Sequence, residues 1–169
     1  AMKQDLGYVP QDVFLFSDSI GRNIAFGQGD ADDQKVRQAA HDAGVREDIE
    51  GFEHGFDTML GERGVNLSGG QKQRISIARA LVKTPRILFL DDCLSAVDTE
   101  TEDAILAAIE KQEASCTLMV SHRLASLRNA DRILVMDEGK IVESGTPDEL
   151  LAAGGLYTTM FEQQKAEQD

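Results

Sequence analysis

The chain has 169 residues, 41% of them hydrophobic and 28% charged, a composition typical of one globular domain with its own core. Its formal net charge is −13, and such an acidic surface argues against duplex nucleic acid as the main partner. No apolar run approaches the ~20 residues of a membrane-spanning helix, so we expect a soluble chain without a signal peptide.

The first half of the chain is predicted to be mainly helical after one short strand. The predicted elements are, in order, a strand at residues 6–9, a loop with a short helix at 11–29, a helix with apolar residues at 36, 39, 40 and 43, short helical turns at 44–61, and an amphipathic helix at 71–82. Either Asp30 or Asp32 can cap the second of these helices, because its carboxylate can accept a hydrogen bond from the first turn. Pro85 ends the last one.

In the second half, short apolar runs alternate with helical segments, which is typical of parallel strands buried on both faces. The predicted elements are, in order, strands at 87–90 and 117–120 separated by a helix that ends near residue 112, a hairpin at 132–143, and helices that begin at 147 and 156. Thr99 with Glu102, and Thr146 with Glu149, are capping-box patterns. These patterns predict an α/β core with a helical insertion.

The two cysteines, Cys93 and Cys116, lie in separate apolar runs of the second half. They do not have the spacing of metal ligands, and isolated thiols are typical of proteins in a reducing compartment. The sequence therefore predicts two buried thiols.

The segment Leu67-Ser68-Gly69-Gly70-Gln71 opens the helix predicted at 71–82. Glycines allow a close approach to backbone N–H groups, a serine hydroxyl adds a donor, and the helix dipole favours an anion at this end. On these grounds alone, an anion-binding helix start and an ordinary glycine-rich loop are equally good interpretations.

Two carboxylates, Asp91 and Asp92, follow the apolar run at 87–90. Ligands of open α/β sheets bind at the carboxyl ends of the strands. Asp91 could therefore hold Mg²⁺, directly or through water, and Asp92 could orient an attacking water. The alternative is a solvated turn that caps a helix, because an apolar run followed by Asp is common.

The order of the motifs along the chain favours the functional interpretations. The motifs are, in order, Val9-Pro10-Gln11, Leu67–Gln71, the run at 87–92, Ser95-Ala96-Val97-Asp98 and Ser121-His122-Arg123. This series resembles the nucleotide-binding domain of ABC transporters, specifically of exporters, over residues 6–165. The resemblance implies an incomplete P-loop NTPase (RecA-like) fold. Its expected parts are a core strand with the Q-loop at 1–12, a helical subdomain with the signature motif at 13–82, and the C-terminal part of the core at 83–169.

The resemblance implies a role for each matching residue. Gln11 is similar to the Q-loop glutamine, which reaches the metal, and Asp91 to the Walker B aspartate, which holds Mg²⁺. Asp98 is similar to the D-loop aspartate at the dimer interface, and His122 to the switch histidine that contacts the γ-phosphate of ATP. The signature motif, which binds the γ-phosphate of ATP held by the opposite subunit, is matched by Leu67, Ser68, Gly69, Gly70 and Gln71. The segment 61–64 is similar to the exporter X-loop, which abuts the coupling helices of the membrane domain.

Asp92 stands where the family usually has its catalytic glutamate. Its carboxylate lies one methylene closer to the backbone, and a misplacement of about 1 Å can cost ~100-fold in rate. The run at 90–98 is similar to halves of heterodimeric exporters that carry one degenerate ATP site. We therefore expect the chain to pair with a nucleotide-binding domain of a different subunit, with its Walker B residues and His122 serving a slow or non-hydrolytic site.

The phosphate loop is the second departure, since no G-x-x-x-x-G-K-[ST] occurs in the sequence. That loop supplies most contacts to the β- and γ-phosphates in this class. The resemblance implies that the chain begins before the Q-loop but after the Walker A strand, and that the antiparallel β subdomain is absent. We expect such a fragment to be inactive alone and to self-associate through its unpaired strand edge and exposed apolar surface.

The expected protein is thus an ATP-hydrolysing subunit of an exporter that works with ATP and Mg²⁺ at the cytoplasmic face of the cell membrane. Its expected partners are a second nucleotide-binding domain and the coupling helices of a membrane domain, with no nucleic acid. Two alternatives remain: the nucleotide-binding domain of an importer, and a non-catalytic interaction fragment in which residues 13–82 fold alone.

Overall fold

A computed structural model of the chain describes residues 5–29, 32–61, 64–112, 114 and 116–167. The chain divides into two compact units, residues 1–120 and 121–169, each with its own hydrophobic core. Asp30, one of the two predicted helix caps, lies outside the described residues, as do Glu62 and Arg63 of the predicted X-loop. None of the helices in the described ranges is long and apolar enough to cross a membrane.

The first unit combines helices with a parallel sheet. Its elements are, in order, β1 (Leu6–Val9), α1 (Ile20–Ala25), α2 (Asp33–Asp42), α3 (Arg46–Glu50), a 3₁₀ turn (Gly55–Asp57), α4 (Gly69–Leu81), β2 (Ile87–Asp91), α5 (Thr99–Glu110) and β3 (Cys116–Val120). β2 lies between β1 and β3 and pairs in parallel with both. The predicted fold class, an α/β core with helices inserted between two of its strands, is confirmed.

The sheet buries one face and exposes the other. On the buried face, Val9, Leu88 and Leu90 are at most 2% exposed and belong to the core of the first unit. On the other face the apolar side chains remain substantially exposed; these are Leu6, Tyr8, Ile87, Leu118 and Val120. The prediction that β2 and β3 are buried on both faces is therefore wrong, because the core forms on only one side of the sheet.

The prediction that Cys116 is buried is also wrong. Cys93 is buried as predicted, but Cys116 is exposed. Because side chains alternate along a strand, Cys116 shares the exposed face of β3 with Leu118 and Val120. The same one-sided core therefore explains why this thiol is accessible.

Side-chain caps begin most of the helices. Asp32 accepts a hydrogen bond from Gln34 N at the start of α2, so it is the cap of the two candidates that the structure describes. The predicted capping box at Thr99 is wrong, because Asp98 is the residue before α5 and its Oδ1 accepts from Thr101 N at 2.9 Å. A carboxylate at this position also interacts favourably with the helix dipole.

The second unit is a hairpin followed by two helices. Its elements are a 3₁₀ turn (Leu124–Leu127), β4 (Ile133–Asp137), β5 (Lys140–Gly145), α6 (Pro147–Ala153) and α7 (Leu156–Ala166). β4 and β5 are antiparallel, and their turn has φ of 46° at Glu138 and 75° at Gly139, as a two-residue type I′ turn requires. The capping box of Thr146 and Glu149 begins α6 as predicted. The core of this unit contains Leu124, Ile133, Val135, Leu150 and Tyr157.

Candidate functional site

Three of the predicted site residues meet at the carboxyl end of the parallel sheet. Gln11 follows β1, Asp91 ends β2, and Asp92 comes directly after it. Because β1 and β2 are adjacent and parallel, their carboxyl ends lie side by side. The Gln11 Nε2 donates to Asp92 Oδ2 at 3.4 Å, a long hydrogen bond that joins the two segments.

Asp92 turns the chain sharply away from the sheet. Its N–H still donates to Val120 O of β3 at 2.9 Å, but its φ is 45°, in the left-handed region. Asp is among the few residues other than glycine that adopt this region readily. The left-handed turn sets the direction in which the Asp92 side chain leaves the backbone.

The side chains at this edge fit a magnesium ion that is completed by other ligands. Asp91 and Asp92 carry carboxylate oxygens and Gln11 carries an amide oxygen, and all three are oxygen ligands of the hard type that Mg²⁺ takes. No group of three or more His, Cys, Asp or Glu side chains that could hold a metal occurs among the described residues. Mg²⁺ is usually bound by one or two carboxylates together with water and substrate phosphates.

The predicted anion-binding segment forms the first turn of α4. Ser68 Oγ accepts from Gln71 N at 3.1 Å, and Gln71 Oε1 accepts from Ser68 N at 3.0 Å, which makes a capping box. Leu67 is buried and anchors the segment to the core, whereas Ser68 and Gly69 are exposed. The first backbone N–H groups of a helix have no partner within it, so Gly69 and Gly70 present donors at the surface.

Asp48 of α3 ties this helix start to its neighbour. Its carboxylate accepts from Gln71 Nε2 at 2.9 Å and from the Arg74 guanidinium at 2.7 Å. Arg74 also donates to the carbonyl oxygens of Gly44 and Gly70. These contacts fix the side chain of Gln71 and the first two turns of α4 against α3.

The segment 95–98 lies directly against the start of α4. Gln73 Nε2 donates to Ser95 Oγ at 3.1 Å, and Ala96 N donates to Gln73 Oε1 at 2.9 Å. Hydrogen bonds from Thr101 lower the pKa of the Asp98 carboxyl, and the charge of Arg74 lowers that pKa further. The structure therefore brings the predicted signature motif and the predicted D-loop aspartate together on one side of the first unit.

His122 belongs to the second unit, where α7 holds its backbone. Gln164 Nε2 donates to His122 O at 2.6 Å, and Gln164 Oε1 accepts from Leu124 N at 2.9 Å. Ser121 Oγ accepts from Arg123 N at 3.0 Å, which adds a tight local turn. The His122 side chain is exposed at the surface of this unit.

A buried asparagine organises the loop that follows Gln11. Asn23 is 1% exposed and donates to the carbonyl oxygens of Phe16, Asp18 and Ser19, while its Oδ1 accepts from Phe16 N at 2.8 Å. Arg79 of α4 donates to Asn23 O, Asn23 Oδ1 and Phe14 O at 2.7 to 2.9 Å. Burial lowers the pKa of the Arg79 guanidinium. The loop after Gln11 is thus bonded to the same helix that begins at Gly69.

Sequence reasoning did not single out the residues that join these segments, which are Asn23, Asp48, Gln73, Arg74, Arg79 and Gln164. The helical spacing could have identified Gln73, since it lies on the same helical face as the apolar Ile77 and Ala80. A polar side chain on a buried face needs a hydrogen-bond partner. The partners themselves lie 22 and 23 positions away, so local spacing could not identify them.

Comparison with known proteins gives consistent results. The sequence profile of a family described as ABC transporter matches residues 1–95. The chain is 50% identical to Heavy metal tolerance factor 1 of Caenorhabditis elegans over 99% of this chain and 21% of that protein. It is 52% identical to the probable multidrug resistance ABC transporter ATP-binding/permease protein YheI of Bacillus subtilis over 95% of this chain and 28% of that protein.

Among solved structures, a bacterial Atm1-family ABC exporter with ATP bound superposes with a TM-score of 0.89 at 43% identity. The superposition covers 96% of this chain and 29% of that one. The chain thus spans less than a third of the length of each of these relatives.

Proposed function

The chain belongs to the ABC transporter family, and from that premise we propose that it forms part of the ATP-hydrolysing domain of an exporter. In this role the chain lies at the cytoplasmic face of a membrane and contacts the coupling helices of a membrane domain. The observation that carries the proposal is the meeting of Gln11, Asp91 and Asp92 at the carboxyl edge of the sheet, where Gln11 Nε2 lies 3.4 Å from Asp92 Oδ2.

At this edge each residue has a separate task. Bound Mg²⁺ would supply the charge that neutralises the phosphates of ATP during transfer of the γ-phosphoryl group. Asp91 would hold the metal, with Gln11 from the loop after β1 as a further ligand. Asp92 orients the attacking water and accepts its proton. For His122, the resemblance to the family alone supports the role of a donor to the γ-phosphate.

The start of α4 serves the ATP of the opposite domain. The N–H groups of the exposed Gly69 and the half-buried Gly70, together with the Ser68 hydroxyl, form a donor set suited to a phosphate. Asp98 acts across the same dimer interface. We further propose that the opposite domain belongs to a different subunit, because Asp92 replaces the usual glutamate here and leaves this chain's own site slow. The intact segment 67–71 then completes the competent site of the partner.

An exporter is favoured over an importer by the relatives. One relative is named as a multidrug resistance transporter with ATP-binding and permease parts, and the solved structure is an exporter. Both match at least 95% of this chain, so the likeness extends beyond the motifs that all ABC proteins share.

The test uses the complete transporter that contains this chain, purified with its partner subunit and reconstituted into vesicles. We expect ATP hydrolysis that depends on Mg²⁺ and ATP-driven transport across the vesicle membrane. Ser68→Arg should abolish most of the hydrolysis, because a long cation would occupy the phosphate position, whereas Lys72→Ala on the exposed next turn should not. A transporter that fails to hydrolyse ATP, or a Ser68→Arg variant with full activity, would contradict the proposal.

The 169-residue chain alone is proposed to be inactive. Its sequence lacks the phosphate loop and lysine that provide most β/γ-phosphate contacts in this class. Isothermal titration of the isolated chain with Mg-ATP should show no micromolar binding, and micromolar affinity would show that the remaining residues suffice.

A further inference from the structure

We propose that Gln73 is a positioning residue that holds the segment 95–98 in fixed register against the first turn of α4. The proposal rests on the function above, in which both segments act on ATP bound by the opposite domain. Through Gln73 they would meet that ATP as one preformed surface.

The Gln73 side chain uses both ends of its amide. It is 8% exposed, so its polar atoms need partners within the protein. Its Nε2 donates to Ser95 Oγ at 3.1 Å, and its Oε1 accepts from Ala96 N at 2.9 Å. A neutral amide offers one donor and one acceptor side by side, which matches a hydroxyl and a backbone N–H on adjacent residues.

The two segments are also in van der Waals contact beside this amide. A Cβ built on Gly70 would lie 2.7 Å from Ala96 O, whereas one built on Gly69 would lie 3.6 Å from Ala96 Cβ. Gly70 therefore allows the Ala96 carbonyl to approach the backbone of α4 closely. The hydrogen bonds of Gln73 then set the position of the segment 95–96 along the helix.

Hydrogen bonds and burial restrain the backbone between Ala96 and Asp98. Val97 is buried, and its N–H donates to Leu94 O at 3.1 Å. Asp98 then accepts from Thr101 N as the cap of α5. A shift of Ala96 relative to α4 would consequently move Asp98 relative to Ser68, Gly69 and Gly70. Because a misplacement of about 1 Å can cost ~100-fold in rate, such a shift affects turnover more than ATP binding.

The first experiment tests the contact in the 169-residue chain, independently of any ATPase activity. Gln73→Met removes both hydrogen bonds at nearly constant volume, whereas Gln73→Glu keeps the acceptor for Ala96 N. The amide of Ala96 should exchange with solvent about fivefold faster in Gln73→Met, which corresponds to the ~1 kcal/mol that a hydrogen bond contributes. It should be unchanged in Gln73→Glu, in Ser95→Ala and in the exposed control Lys72→Ala. Unchanged exchange at Ala96 in folded Gln73→Met would overturn the proposal.

The second experiment measures ATP hydrolysis by the complete transporter. Gln73→Met should lower kcat at least about tenfold with KM for ATP nearly unchanged. Gln73→Glu should retain most of the wild-type kcat. Equal kcat in wild type and Gln73→Met would overturn the positioning role.

If Gln73→Met does not fold, the kcat of Ser95→Ala tests the positioning role instead. A kcat loss of about threefold supports the role, and wild-type kcat overturns it. A wild-type transporter without ATPase activity would refute the proposed function, while the exchange experiment would still decide whether Gln73 fixes the segment.

Discussion

Asp92 combines a left-handed backbone with a short carboxylate at the edge of the sheet. Its φ of 45° is accessible to Asp and less favourable for Glu, whose longer side chain gains nothing from local hydrogen bonding to its own backbone. The Asp92 carboxylate lies 3.4 Å from Gln11 Nε2 of the neighbouring segment. Glutamate would extend it by one methylene toward the space beyond the edge.

We therefore predict that Asp92→Glu raises the ATPase rate of this site in the intact complex by about tenfold or more, at a small cost in stability. Asp92→Asn, which keeps the size and removes the charge, should lower the rate instead. The measurement is single-turnover hydrolysis at this site, with the partner's site inactivated. An unchanged rate in Asp92→Glu would show that carboxylate position does not limit this site.

The two thiols should differ strongly in reactivity. Burial, together with the nearby carboxylates of Asp92, Asp91 and Glu102, raises the pKa of the Cys93 thiol to about 12. A raised thiol pKa means that Cys93 stays protonated throughout the physiological range, and the thiolate is the reactive form. Cys116 lies exposed on β3.

At about pH 8 a disulfide reagent should modify only Cys116 in the native chain, and both thiols after unfolding in urea. Because the Cys93 pKa is raised to about 12, this thiol stays protonated between pH 7 and pH 9, so raising the pH over this range should leave Cys93 unmodified in the native chain. Cys116→Ser should leave the native chain unreactive. Rapid native modification of Cys116→Ser would mean that Cys93 is accessible.

Among the elements, α4 collects contacts from several distant segments. It bonds to α3 through Asp48, to the segment 95–96 through Gln73, and to the loop after Gln11 through Arg79. The last contact depends on Asn23, whose amide holds the carbonyl oxygens of Phe16 and Ser19. The guanidinium of Arg79 also lies over the rings of Phe16 and Phe26, 5.4 and 5.9 Å from their centroids.

Asn23→Ala should destabilise the chain by ~2–4 kcal/mol, because it removes a buried amide whose Oδ1 accepts from Phe16 N and Arg79 Nη2 and whose Nδ2 donates to the carbonyl oxygens of Phe16 and Ser19. Gln38→Ala is the control, since the Gln38 amide bonds only at an exposed position on α2, and it should change stability by less than ~0.5 kcal/mol. Urea unfolding monitored by circular dichroism measures both. Equal stability of the two variants would mean that the loop after Gln11 is not held by Asn23.

At the scale of the whole molecule, apolar exposure and negative charge oppose each other. One face of the parallel sheet exposes Leu6, Tyr8 and Leu118 by 44 to 53%, and β1 and β3 are the edge strands of that sheet as the structure describes it. Exposed apolar faces and unpaired edges promote association between copies. A net charge of −13 resists it by repulsion that salt screens.

We predict that the isolated 169-residue chain self-associates and that association strengthens with salt. Light scattering at low ionic strength and at ~0.5 M NaCl should show a rising mean mass, because the Debye length shortens while the apolar faces are unaffected. Tyr8→Lys, on the exposed face, should weaken association, whereas Gln38→Lys on α2 should not. A monodisperse monomer under both conditions would contradict this prediction.

Local patterns in the sequence were sufficient for the order of the elements and for the family. The capping box at Thr146 and the turn at Glu138 and Gly139 depend on neighbouring residues, so they could be predicted from short stretches. The motifs that carry the resemblance are also local. The structure confirms the α/β fold with its helical insertion, and the roles of the individual site residues remain proposals.

Only the tertiary structure decided which faces are covered and which distant groups meet. Whether β3 is buried depends on what packs against it, so Cys116 could not be placed from its apolar neighbours. The bond between Gln73 and Ser95 spans 22 positions and that between Asn23 and Arg79 spans 56, and no local pattern is sensitive to such pairings. The sequence by itself thus determined the family and the elements. The tertiary structure decided how α4 is joined to segments 14–19 and 95–98, because hydrogen-bond pairing between distant segments is a property of the packed chain.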